Sequence, residues 1–95
     1  MSVKFFGRMI ERPDLLKTMR RFDAEYPNWR DYDDWLSKAT YKYAVRHEGR
    51  LYPPKLILSM ATGADRTKFN GGGQTNSVFE RLGFEVVDKP GPKAI

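Results

Sequence analysis

Tyr41-Lys42-Tyr43-Ala44-Val45-Arg46-His47-Glu48-Gly49-Arg50-Leu51-Tyr52-Pro53-Pro54-Lys55-Leu56-Ile57-Leu58-Ser59-Met60-Ala61 is the stretch that decides how this chain folds. Its first residues alternate. Tyr41, Tyr43 and Val45 point one way and Lys42, Ala44 and Arg46 the other, which is the period of a half-buried strand. Glu48-Gly49 supplies a two-residue turn, with glycine taking positive φ. The return strand then falls in a register that sets Val45 opposite Tyr52 and Arg46 opposite Leu51. Pro53-Pro54 closes that strand and opens a helix, because proline is tolerated in the first helical turn. Leu56, Ile57, Leu58, Met60 and Ala61 make this helix apolar nearly all round, as a central helix would be, and Gly63 fits its C-terminal cap.

Upstream, Pro13 opens a helix that Pro27 ends. Leu15, Leu16, Met19, Phe22 and Tyr26 share one face of it. Arg20-Arg21 reads as a solvated face, with a phosphate contact as the alternative. Asn28 caps a second helix that is expected to run to about Ala39, with Trp29, Tyr32, Trp35, Leu36 and Ala39 on its apolar side. Asp31, Asp33 and Asp34 sit in its first turn, where they complement the helix dipole. For residues 1–11 the spacing of Phe5, Phe6, Met9 and Ile10 suits a helix, while Gly7 and Arg12-Pro13 oppose one. An arm or a short helix that lays both Phe rings on the core is expected.

Downstream, residues 64–73 read as a loop from which Phe69 plugs the core. Thr75 caps a short helix carrying Val78, Phe79 and Leu82, closed by Gly83. Phe84-Glu85-Val86-Val87 reads as a third strand. The fold class expected is therefore α+β, with two N-terminal helices, a β-hairpin, two further helices and a third antiparallel strand. A winged-helix-like arrangement is the finer expectation. Residues 1–88 make one domain. Residues 89–95, rich in Pro and Gly, read either as a linker ahead of a further domain or as an ordinary chain end.

Ninety-five residues with a formal charge of +5 and 14% aromatics describe a small basic domain whose rings supply the packing units. The excess charge is local. Residues 1–39 hold eight Lys/Arg against seven Asp/Glu, whereas residues 40–81 hold seven against three. A basic half of this kind suits an anionic partner. With no cysteine and one histidine, neither a disulfide framework nor a zinc site is expected. No apolar run approaches the roughly 20 residues that span a bilayer, and the N-terminus has no signal-peptide core. A cytoplasmic protein without a membrane partner is expected.

Catalytic chemistry finds few footholds. Ser2, Ser37, Ser59 and Ser77 lack a nucleophile-elbow context, and His47 has no second group tied to it by spacing. No nuclease signature is present. No cofactor is expected, since neither the phosphate-loop pattern nor a strand-borne dinucleotide glycine motif occurs. Binding is better served. Lys42, Arg46, Arg50 and Lys55 cluster on one supersecondary unit beside Tyr52 and His47, and cations track phosphates while a ring stacks on a base. Gly71-Gly72-Gly73 ahead of a helix makes either a tight turn or a phosphate cradle, with Lys68, Asn70, Gln74 and Asn76 beside it. These residues form the candidate nucleic-acid site, with no catalytic or metal residue in it.

Tyr52-Pro53-Pro54-Lys55, an apolar helix ending in Ala61, Phe69-x-Gly71-Gly72, Asn76 and Leu82-Gly83-Phe84 together resemble a small module at the front of bacterial HNH-type and modification-dependent restriction proteins and of some defence ATPases. The resemblance spans about Asp14 to Val87, and Gly73 departs from the usual pair of glycines. It implies a DNA-recognition or accessory domain coupled to an effector elsewhere in a longer chain, and the expectation drawn from it is a non-catalytic specificity module for double-stranded DNA, with modified DNA as one candidate target. A protein-interaction adaptor docking an acidic partner or that effector is the alternative expectation.

Overall fold

The computed structural model describes residues 2–32, 42–65 and 73–89. The chain opens on a hairpin, not on an arm or a helix. Strands β1 (Ser2–Phe5) and β2 (Arg8–Glu11) pair antiparallel, with Val3 opposite Ile10 and Phe5 opposite Arg8. The reason is the period. Alternation buries Val3, Phe5 and Ile10 together, whereas a helix would have buried Phe6 and Met9, which stay exposed.

Helix α1 (Arg12–Glu25) starts directly from β2, with Pro13 in its first turn and the Asp14 carboxylate accepting the Glu11 N–H at 2.8 Å. It buries Leu15, Thr18, Met19 and Phe22. The expected second helix is represented by one 3₁₀ turn, Trp29–Asp31; residues 33–41 lie outside the described residues.

Strands β3 (Tyr43–His47) and β4 (Arg50–Tyr52) form the second hairpin in the register expected, Val45 opposite Tyr52 and Arg46 opposite Leu51. Glu48 and Gly49 turn it with φ of 50° and 77°. Helix α2 (Pro54–Thr62) follows Pro53, and Gly63 ends it in the left-handed conformation with its N–H donating to the Ser59 carbonyl. Helix α3 (Gly73–Arg81) starts ahead of Thr75, so this residue is buried inside the first turn and is not its cap. Strand β5 (Glu85–Asp88) joins β3 antiparallel, and the sheet order is β4-β3-β5. The fold is α+β, with two antiparallel sheets and three helices among the described residues.

The core lies between the hairpins and the helices. The inward residues Val3, Phe5 and Ile10 meet Leu15, Met19 and Phe22 of α1, Ile57 and Leu58 of α2, and Val78 and Phe79 of α3. Each such side chain contributes about 1.5–3 kcal/mol through burial. The second face of the sheet is not wholly polar. Ala44 is buried there beneath Trp29, Tyr32, Leu51 and Val87. Arg12 ties the ends together, donating from Nη1 to the Leu82 carbonyl at 2.9 Å with its guanidinium 4.2 Å from the Phe84 ring centroid. No described helix is long and apolar enough to cross a membrane.

Candidate nucleic-acid interface

Strand alternation and the observed register separate the hairpin cations. Arg46 shares a face with Leu51 and Ala44, while Arg50 lies opposite His47 on the face that carries Val45 and Tyr52. Both arginines are engaged within the fold. Arg46 makes a two-pronged contact with Glu85, its cross-strand neighbour on β5, with Nε donating to Oε1 at 3.0 Å. That carboxylate raises the Arg46 pKa through hydrogen bonding and charge.

Arg50 reaches back to the end of α1. Its Nη1 donates to the Pro27 carbonyl at 2.8 Å and its Nη2 to the Tyr26 carbonyl at 3.0 Å. Its Nε stands 2.9 Å from Asp23 Oδ1, an ion-pair contact whose N–H is not aligned for a hydrogen bond. The Tyr52 hydroxyl donates to the same carboxylate, at 2.9 Å to Oδ1 and 3.1 Å to Oδ2. Burial first, then the Asp23 carboxylate, pushes the Tyr52 pKa up to about 12. Tyr52 is buried, so the stacking role expected of it is corrected: the ring belongs to the core and packs edge-on against Phe22. Arg50 is likewise a tie between the hairpin and the α1 end, held by the carbonyls of Tyr26, the C-cap of α1, and of Pro27 just beyond it.

The structure does bring His47, Arg50 and Tyr52 into one place. They line a groove of about 540 Å³ between α1 and the β3–β4 turn, with Leu16 and Met19 as floor and Arg20, Asp23 and Glu48 on the walls. His47 is half-buried, its ring edge-on to Phe84 at 5.6 Å and its Nε2 3.5 Å from Glu48 Oε2. Arg20 faces this groove and makes no ion pair or hydrogen bond among the described residues.

The remaining expected contacts divide. Lys42 is exposed, and its carbonyl accepts the Lys89 N–H at 2.9 Å. Lys55 is half-buried in the first turn of α2. Gln74 is exposed in the first turn of α3, whereas Asn76 is buried and its Oδ1 has no hydrogen-bond partner. Asn76 is therefore corrected from a surface donor to an interior side chain, because position 76 stands one turn before the core residue Phe79 on α3. Lys68, Asn70, Gly71 and Gly72 lie outside the described residues.

The cations left over by the fold sit elsewhere. Lys17, Arg20 and Arg21 follow the i, i+3, i+4 spacing of one helical face. All three are exposed on the side of α1 opposite Leu15, Met19 and Phe22, and none makes an ion pair or hydrogen bond among the described residues. Asp14, one turn before Lys17, and Glu25, one turn after Arg21, bound that stripe. The sequence carries this signal in the spacing alone, but the Arg20-Arg21 pair reads as ordinary solvated surface until its rivals on the hairpin are seen to be occupied.

No protein-family model, curated protein or solved structure matches the chain.

Proposed function

We propose that this chain is a non-catalytic double-stranded-DNA-binding domain, acting as the specificity module of a bacterial restriction or defence protein whose effector lies in a longer chain. Modified bases fall within its targets. The observation that carries this reading is the Lys17/Arg20/Arg21 stripe on α1, unpaired among the described residues, with Arg20 opening onto the groove of His47 and Arg50. Three cations on one helix face, unpaired among the described residues and bounded by Asp14 and Glu25, suit a run of phosphates, since each contact releases counterions. In winged-helix terms, α1 would lie along the backbone and a hairpin would stand beside it.

The test is a titration of labelled duplexes by fluorescence anisotropy at about 50 and 200 mM salt. Affinity is expected to fall steeply with salt. Each of Lys17→Ala, Arg20→Ala and Arg21→Ala is expected to weaken binding evenly across sequences and to reduce the salt slope by about one. Salt-independent binding, or an unchanged slope in all three variants, rejects the proposal. Tighter binding to an acidic polypeptide than to any duplex favours the adaptor reading instead.

A further inference from the structure

The groove between α1 and the β3–β4 turn differs in chemistry from the helix face beside it. Its volume of about 540 Å³ lies within the range of cavities that hold a small organic ligand, about 300–1,000 Å³. Leu16 and Met19 give it an apolar floor, and Asp23 and Glu48 stand against Arg20 and Arg50 around it. With two charges of each sign, the groove draws a polyanion less than the α1 stripe does. One group in it is an oriented acceptor within reach of a ligand. The Asp23 side chain is 35% exposed, and its carboxylate is held by the Tyr52 hydroxyl, whose single proton is shared between Oδ1 at 2.9 Å and Oδ2 at 3.1 Å. Arg50 Nε, 2.9 Å from Oδ1, adds charge but no aligned N–H. A carboxylate accepts at about four sites, so Asp23 keeps capacity for a further donor. The phenol, with its pKa pushed up to about 12, stays a donor at neutral pH and keeps the carboxylate in place.

We infer that this groove holds a single nucleobase swung out of the duplex, with an exocyclic amine of that base donating to Asp23. This rests on the DNA-binding reading above. A base is uncharged, as a groove of balanced charge requires. It has apolar faces for Leu16 and Met19 and a polar edge for the carboxylate. His47, half-buried in the groove wall, is the ring it stacks against. Arg20 belongs both to the rim and to the α1 stripe, so it takes the phosphate next to the displaced base. A phosphate inside the groove is opposed by Asp23 and Glu48, and so is an acidic side chain of a protein partner. The carboxylate also selects among bases. Cytosine and adenine offer an amine to an acceptor, whereas thymine offers carbonyl oxygens that a carboxylate repels.

The test compares labelled duplexes by fluorescence anisotropy at one salt concentration: fully paired, with one cytosine opposite an abasic site, and with one thymine opposite an abasic site. An orphan base costs less to swing out than a paired one. The orphan-cytosine duplex is expected to bind about tenfold tighter than the paired duplex and at least about fivefold tighter than the orphan-thymine duplex. Asp23→Asn keeps a carbonyl for the Tyr52 hydroxyl and brings an amide N–H donor, so the preference is expected to move towards thymine. Leu16→Trp fills the floor of the groove, and its ratio of orphan-cytosine to paired affinity is expected to fall to about one, with circular dichroism checking the fold. A cytosine gain that persists in Leu16→Trp overturns the pocket, because the gain then comes from the pliable duplex. Equal affinity of the parent chain for orphan cytosine and orphan thymine overturns it too. So does an even loss in Asp23→Asn with the preference unchanged, which marks Asp23 as a tie within the fold. Should Asp23→Asn fail to fold, the Leu16→Trp ratio decides. If the parent chain binds all the duplexes alike with a steep salt dependence, the pocket fails while DNA binding stands. If it binds no duplex, both fall.

Discussion

The Tyr52 hydroxyl reaches Asp23 across the groove, and that contact gives one side chain a pH signature. An ionised phenol beside a carboxylate in a buried site is unfavourable, so the folded protein holds the proton more tightly than the unfolded chain does. With the folded pKa near 12 against an ordinary 10.0, the stabilising contribution is complete below pH 10 and is lost as pH rises from 10 towards 12. One of the five tyrosines is therefore expected to ionise late in an ultraviolet absorbance titration, and Tyr52→Phe should remove that late phase. The same variant should lose about 1.5–3 kcal/mol in urea unfolding at neutral pH, the worth of a hydrogen bond to a charged acceptor. Nothing in the residues near Tyr52 announces this. Its acceptor lies 29 positions earlier, and the neighbouring Pro-Pro says only that the strand ends there.

Two hairpins in this chain use one turn. Phe6-Gly7 and Glu48-Gly49 take nearly the same φ values, and in both the glycine stands at φ 76–77°. Gly49 has open space around an added Cβ, so its replacement tests the backbone alone. Gly49→Ala is expected to cost about 1–2 kcal/mol through left-handed strain, seen as a lower urea midpoint with an unchanged slope. The second hairpin was legible because Tyr43, Val45 and Tyr52 alternate over enough residues to exclude a helix. The first was not, because Val3, Phe5 and Ile10 are too few to set a period against the helical spacing of Phe5, Phe6, Met9 and Ile10. Helix α2 shows the opposite case. Pro53-Pro54 and Gly63 mark both ends by their own stereochemistry, and the observed helix runs between them.

For the molecule as a whole, stability rests on one core that every described helix and both hairpins share. Ile57 sits at its centre with no exposed surface, so Ile57→Ala is expected to cost about 2–5 kcal/mol, measured as a lowered thermal midpoint and urea midpoint. A fold this small has little stability to spare, and that loss is a large share of it. Binding is the other property held at this scale. The basic half of the chain promised a cationic hairpin, but Arg46 and Arg50 face opposite ways and each has a partner in the fold. Among the described residues the cations left unpaired include Lys17, Arg20 and Arg21 of α1, in the half whose charges nearly balance by count.

Read by itself, the order of residues determined the β3–β4 hairpin and its register, the Pro-Pro start and glycine end of α2, the third antiparallel strand and the α+β class. Each of these depends on alternation, ring constraint or positive φ, which neighbours along the chain settle between themselves. Only the tertiary structure decided which positive side chains are spent on the fold and which remain for a partner. Arg50 is held by carbonyls of Tyr26 and Pro27, and Arg46 by a carboxylate 39 positions further on. Whether a charge is free depends on what stands within a hydrogen-bond length of it, and that is set by packing between distant segments.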